Sequence, residues 1–536
     1  MENAQDVGKT SQESDTDTNS TVIAVCGCGH DGRLGIGSNE SQSRVVVVPF
    51  FLGTTDGDGR PLGSIRAARV GGYHNFVITT EGVYGWGLNE DGQLGLGRGS
   101  SSCISVPTRI PFLDGKCIKD IACGAHHTFA WTSDGLYACG RNEDGQLGLP
   151  SRGAYFSFTM VLSNSQANVG ADDGGSEVSQ GACSLIKHGQ LTHVSCGTHH
   201  TLLAFRDVAV LMDENVTGDN IVKFSVLVAA AGKGDFGELG YDGDAWSILQ
   251  SKAKTMQTAL ESAARRNQNG FPENGTAPEL VNDVQKHWKP LKQRRAPFSS
   301  DRFQPVGLSV LLPCHNSDES AIPYEVVSLN AMHLHSAIAL RELHTTEGSS
   351  SSSCDTRTFH WGCYYCGDVE DDASSVPREE ERGTTLHAGN EIIFRYRKAP
   401  SSEAVLEVKG DGVLGLGEED SRAKTWVPLP LPPGVGAVDS VRTVVGRDHF
   451  LIQLSDSVVV GFGDNMHGQL AAGSVKDSLL TPSVVIRNGN ELMVPVGTSG
   501  VDFSVRWRVE RVADVVWRAA FSLCVGGQTL YRQHIL

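Results

Sequence analysis

The chain contains no apolar run long enough to span a bilayer and no apolar leader; Met1 to Ser20 is polar, rich in Ser, Thr, Asp and Asn. The first absence argues against a membrane partner and the second against export. Basic residues are outnumbered, with 45 Lys plus Arg against 62 Asp plus Glu and a formal charge of −17. Such a surface repels phosphate backbones, so direct nucleic-acid binding is disfavoured, and a basic partner or a basic tail on a partner fits better. The 13 cysteines are odd in number and scattered through apolar contexts such as Ala122-Cys123-Gly124. Reduced, buried thiols in an intracellular protein are expected, with cytoplasm and nucleus both open. Residues 1–20 read as a disordered tail.

Chemistry-bearing constellations are also missing. The Gly-rich motifs lack the Lys-Ser/Thr ending of a phosphate loop and the strand–helix setting of a dinucleotide site. Cys363-Tyr-Tyr-Cys366 has metal or redox spacing, but no second pair follows it, and Cys26-Gly-Cys28 falls on repeat positions. No carboxylate or nucleophile is spaced to work with His126-His127 or His199-His200. No catalytic site, cofactor or metal is therefore assigned.

What the chain has is glycine, 62 residues of it, and a repeat. Gly87 to Gly97 reads GLNEDGQLGLG, and Gly140 to Pro150 reads GRNEDGQLGLP. Weaker copies are GCGHDGRLGIG at 27–37, GKGDFGELGYD at 232–242 and GDNMHGQLAAG at 463–473. One more reads as split, with WGCYYCG at 361–367 as the front half and GVLGLG at 412–417 as the back. Each copy follows a short β-like segment, such as GVYGWG at 82–87. Asn-Glu-Asp-Gly at 89–92 is turn chemistry with Gly92 at positive φ. Leu94 is expected to plug the core, and Gly95 and Gly97 to admit a neighbouring backbone.

A second recurring element lies upstream: VGGYHNFVIT at 70–79, ACGAHHTFAW at 122–131, SCGTHHTLLA at 195–204 and VGRDHFLIQL at 445–454. Degenerate copies are NAMHLHSAIAL at 330–340 and WRAAFSLCV at 517–525. Each is a loop ending in His and an apolar strand; Thr80-Glu81-Gly82 and Ser133-Asp134-Gly135 then turn the chain into a hairpin. Units of about fifty residues that cannot bury their own faces point to propeller blades. TVIAVCG at 21–27 and QTLYRQ at 528–533 both read as the strand before the Gly-rich turn, so the two ends are expected to close the ring in one blade.

The Gly-x-x-His-Thr and Gly-x-Asn-x-x-Gly-Gln-Leu-Gly-x-Gly pattern resembles the repeat of the regulator-of-chromosome-condensation family, over nearly the whole chain from about residue 21. The resemblance implies an all-β propeller of six or seven blades, residues 21–536 forming one domain with long insertions. Six His elements are visible, and a seventh blade is sought in 205–330 or 341–440. Three stretches break the period. Residues 151–190 and 341–409 read as loops, the latter Ser-rich and acidic with Asp368 to Asp372 and Glu379 to Glu381 solvated. Residues 244–300 carry helical spacing at Leu249, Ala253, Met256, Leu260 and Ala263, then a basic cluster from Lys286 to Arg295.

In this family the residue before the repeat's His projects from one face, and in the founding member that face engages the Ran GTPase and promotes nucleotide release. The matching positions are His126, His199 and Asp448, beside His127, His200 and His449; His74 is the repeat His of its own copy. These seven residues form the candidate partner-binding set, with each second His expected to hydrogen-bond within its blade. Leu334 takes the pre-His position in the fourth copy, and Ala519-Ala520-Phe521 departs from the motif. The function expected is a protein–protein interaction platform, the partner being a small GTPase or a larger assembly. The alternatives are a guanine-nucleotide exchange factor for a Ran-like GTPase and association with histones or chromatin.

Overall fold

A computed structural model describes residues 19–163, 186–211, 221–240, 299–306, 314–315, 324–343, 356–363, 374–388, 392–397, 405–419, 421–433, 442–445, 449–455, 458–474, 478–487, 504–505, 508–512 and 520–530. Among the described residues the helical pieces are three 3-10 turns, His30–Gly32, Pro49–Leu52 and Pro111–Leu113, and none could cross a membrane.

Among the described residues the strands form seven antiparallel sheets, six with their four main strands side by side in chain order and one that joins both ends of the chain. The first holds Ile65–Val70, His74–Thr79, Val83–Leu88 and Cys103–Arg109. The second holds Ile118–Cys123, His127–Thr132, Gly135–Arg141 and Ala154–Ser163. The third is Ile186–Cys196, His200–Leu211, Ile221–Lys233 and Ser299–Pro305, with Cys314–His315 added. The fourth is Tyr324–Ala331, His335–Glu342, Thr356–Gly362 and Ser374–Glu379. Thr384–Ala388, Ile392–Arg397, Val405–Gly412 and Ser421–Pro428 make the fifth. Arg442–Val445, His449–Ser455, Val458–Gly463 and Leu479–Arg487 make the sixth. First strands touch in succession from the first sheet to the fourth and again between the fifth and sixth, and the core lies in the seams between sheets. This is a β-propeller.

The seventh sheet closes the ring from both ends of the chain. Asn19–Gly27 pairs with Ala520–Leu530 in unbroken register, Ile23 opposite Cys524, with Gln42–Val47 outside. Closure is therefore as expected, but only TVIAVCG serves as the strand before the Gly-rich turn. Residues 528–530 continue the strand that begins at Ala520. The strand at the other end starts at Asn19, two residues inside the segment read as tail.

Seven sheets resolve the blade count and correct three readings. The two halves of the split repeat lie in different sheets, Trp361 in the fourth and Gly412 in the fifth. The segment 341–409 is not one loop, because the ends of the fourth sheet and most of the fifth are built from it. Both edges of 151–190 are strands, Ala154–Ser163 and Ile186–Cys196. The helix read within 244–300, its basic cluster, Ser349 to Ser353 and the acidic run at 368–372 lie outside the described residues, except that residues 299 and 300 are already strand.

Glu379 and Glu381 are exposed, in keeping with the solvated reading, but all three of Glu379 to Glu381 are ion-paired. Arg357 holds Glu379 at 2.7 Å, and Arg397 holds Glu381 at 2.9 Å. Glu380 lies 3.2 Å from His360 and 3.6 Å from Arg395, which reaches Glu407 at 2.6 Å and stacks over Trp426. In this fourth–fifth seam the described apolar core shrinks to Leu386 and Ile393, with Met332 and Trp426 against it. Polar pairing takes over where apolar area is small.

Candidate partner-binding face

The repeat's residues each do one physical job. Asn89 bridges its turn: its Oδ1 accepts from the Leu94 N–H at 3.0 Å, and its Nδ2 donates to Ser100 and the Ser101 carbonyl. Asn142 and Asn465 repeat this with Leu147 and Leu470. Gln93 folds back to accept from the Asp91 N–H, as Gln146 does from Asp144. Leu94, Leu147 and Leu470 are fully buried plugs, as expected. Gly92 has φ +78°, and a Cβ there would lie 2.4 Å from the Phe156 Cα in the second sheet.

The backbone carbonyl of the Gln position is the hub of each seam. Gln93 O receives the Thr128 hydroxyl at 2.7 Å and the Cys139 thiol at 3.4 Å. Gln146 O receives Thr201 at 2.8 Å. Glu238 O receives Ser336 and the Trp361 indole, each at 2.8 Å, and Arg33 O receives Asn75 and Trp86. Each hydroxyl also meets the preceding repeat's His: His74 Nε2 with Thr128 at 2.7 Å, His127 with Thr201 at 3.0 Å, His200 with Ser336 at 2.9 Å. Since the hydroxyl donates to the carbonyl, the imidazole donates from Nε2.

Four members of the candidate set are thereby corrected. His74, His127, His200 and His449 are at most 1% exposed and offer nothing to a partner. Nor do the first three bond within their own blade; they bind across to the next sheet, because the second strand's start faces the following blade. Burial disfavours the charged imidazole, holding His74 and His200 down to about 3, His449 to about 4 and His127 well below its ordinary value.

The pre-His positions behave differently. His126 and His199 are partly exposed, and each is anchored by the third residue of the preceding blade's turn. His126 Nδ1 lies 3.2 Å from Asp91 Oδ2, and His199 Nδ1 lies 3.0 Å from Asp144 Oδ2. Arg141 reaches the same Asp91 oxygen at 3.2 Å, and Lys233, at the position matching Arg141, pairs with Asp235 at 3.0 Å. Tyr73, the pre-His residue of the first sheet, packs on His126 at 4.7 Å and lies under the Arg33 guanidinium. Burial works to raise the Asp91 carboxyl, but the adjacent His126 imidazole and Arg141 guanidinium outweigh it and hold it below its ordinary value. The His199 hydrogen bond does the same for Asp144. Asp448 lies outside the described residues.

Tyr73, Asp91, Asp144, Arg141 and Lys233 escaped the sequence reading. The contacts of the first four join residues 35 to 55 positions apart across a seam, whereas Lys233 pairs within its own turn, and only the pre-His alignment of Tyr73 was available to find one of them. No nucleophile joins these groups, and no cluster of three or more His, Cys, Asp or Glu among the described residues is arranged to hold a metal. Cys363 is buried, while Cys366 lies outside the described residues. What the face offers is fixed charge and hydrogen-bonding groups, which suits recognition.

Comparison with known proteins gives the same picture. The family model described as regulator of chromosome condensation (RCC1) repeat matches residues 81–131, and a second of that description matches 65–93 and 118–146. Human protein RCC2 is 45% identical over 96 residues, 17% of this chain and 18% of that protein. The bovine secretion-regulating guanine nucleotide exchange factor is 34% identical over 131 residues, 24% of this chain and 26% of that protein. The chain spans at most 29% of the length of the curated relatives it matches first. The crystal structure of Prp20p from Saccharomyces cerevisiae, described with its binding to Gsp1p and histones, superimposes with a TM-score of 0.52 over 95% of this chain and 92% of that one, at 15% identity. That likeness speaks for the fold. The chain therefore carries regulator-of-chromosome-condensation (RCC1) repeats, matched in sequence over residues 65–146, in a β-propeller with an RCC1-like fold.

Proposed function

We propose that the protein is an interaction platform whose contact face carries Tyr73, His126 and His199 together with Asp91, Arg141, Asp144 and Lys233. The observation behind this is the pair of His–Asp anchors, His126–Asp91 and His199–Asp144, set one blade apart on the same side of the ring. A histidine needed only to join sheets is buried in this fold, as His127 and His200 are; the adjacent one is held rigid at the surface. Prefixed polar side chains lower the entropy cost of docking. The partner class supported is a folded protein presenting both charge signs.

A second reading is nucleotide exchange on a small GTPase, favoured by the name of the bovine relative and by the Gsp1p binding named for Prp20p. It requires no acid or base, only preferential binding of the nucleotide-free state. Association with histones is a third reading, supported by the Prp20p description and the acidic balance. His126→Ala combined with His199→Ala tests the face. The variant should keep its unfolding midpoint within a few degrees and lose bound partners in affinity purification. Full retention of every partner would remove this face from the proposal. Accelerated release of labelled nucleotide from a recovered GTPase, lost in the double variant, would decide for exchange.

A further inference from the structure

Three repeats place a glutamine before the leucine plug, Gln93, Gln146 and Gln469, and each accepts the backbone N–H two residues earlier through Oε1. The third sheet's copy has Glu238 there. It keeps the same geometry, Oε2 accepting from the Phe236 N–H at 2.8 Å, and it is 1% exposed. Its own carbonyl holds the third–fourth seam by receiving Ser336 and Trp361 at 2.8 Å each. Gly362 packs so closely that a Cβ on it would meet the Glu238 Cα at 3.2 Å. A carboxylic acid with its proton matches a carboxamide in shape and in setting an accepting oxygen beside a donating group. A carboxylate in this place is a buried charge.

We propose that Glu238 is a built-in pH switch of the third–fourth seam, closed while its side chain is protonated and loosened when it ionises.

The surroundings supply little to stabilise the anion. On its own sheet and turn, Lys233 is committed to Asp235 at 3.0 Å, and Asp235 adds repulsion. From the fourth sheet come Ser336, Trp361 and the neighbouring His335, which burial keeps neutral, as it does His200, bonded to Ser336. Burial raises the Glu238 carboxyl to about 8, against its own backbone N–H, that of Phe236 and, least, the Lys233 charge, which lower it. The sign follows from linkage. Its folded value lies above the unfolded one, so its stabilising contribution is complete below about 4.5 and is lost as pH rises through about 8. Sister seams built on Gln93 and Gln146 carry no such titration.

The test is Glu238→Gln in the full chain, a substitution the sister repeats already accommodate. Thermal unfolding is followed from pH 5 to 9, with amide exchange read in peptides covering 232–240 and 356–363 and in a 140–148 control. The expected result is that the variant's midpoint rises above that of the unsubstituted protein by a gap that widens with pH. Exchange in the two seam peptides, corrected for its intrinsic pH dependence, should increase toward pH 9 in the unsubstituted protein alone, with the control unchanged. Parallel midpoints across the range, or equal exchange in both proteins, would overturn the switch.

Discussion

The Nε2 of His74 lies 2.7 Å from the Thr128 hydroxyl in the next sheet, and that hydroxyl donates at 2.7 Å to the backbone carbonyl of Gln93. One side chain therefore satisfies a buried imidazole and a buried carbonyl from two different repeat motifs. The seams bear the ring's cohesion, because each sheet alone leaves both faces uncovered.

Thr128→Val keeps the shape and removes both bonds. It should cost roughly 2–4 kcal/mol, since two buried polar groups lose their partner. Thr108→Val, on the exposed outer strand of the first sheet, should stay within about 0.5 kcal/mol. Denaturant unfolding of the two variants measures the difference; equal costs would mean the bridge contributes nothing to cohesion.

Acid should open the ring. His74 and His200 are held at about 3 and His449 at about 4 by burial, against 6.5 when unfolded. Each folded value is depressed, so each contribution is complete above about 6.5 and is lost as pH falls through that value toward 4 and 3. The unfolded chain binds the extra protons in that window. The unfolding midpoint should drop steadily below pH 6.5. Replacing His200 by Gln should reduce the protons taken up on unfolding at pH 5 by about one, measured by calorimetry in buffers of different ionisation heat. Unchanged uptake would mean His200 is already charged in the folded protein.

Sequence reading reached the repeat, the plug leucines, the turn glycines and the closure by the chain ends because these are local patterns with a fixed period. It named 341–440 as one of two places for a seventh blade, and the fifth sheet lies there, but its strands were read as loop for a physical reason. Ile392–Arg397 and Val405–Gly412 carry no His element and are held in part by Arg395 paired with Glu407, so their charges resembled a solvated loop. The joined halves of 361–367 and 412–417 misled for the same reason: a motif string does not say which sheet follows it. On the proposed contact face, His126 and His199 were legible as pre-His positions, whereas Asp91 and Asp144 became visible only once adjacent blades were placed side by side.

The repeat's glycines offer the sharpest check on that placement. Gly92 and Gly99 share the left-handed backbone, at φ +78° and +90°, so alanine at either carries the conformational strain of about 1 kcal/mol. They differ in what lies beyond. Nothing stands within 4 Å of a Cβ on Gly99, whereas one on Gly92 would lie 2.4 Å from the Phe156 Cα. That neighbour is backbone in the outer strand of the second sheet, and it cannot swing aside as a side chain would. The same strand receives the Gly97 N–H at the Phe156 carbonyl, 2.8 Å away, so moving it also breaks a seam bond. Gly99→Ala should therefore cost about 1 kcal/mol and Gly92→Ala more than about 3 kcal/mol by denaturant unfolding. If the two costs match, the glycine serves its turn alone, and the close approach of the first and second sheets at Phe156 is wrong.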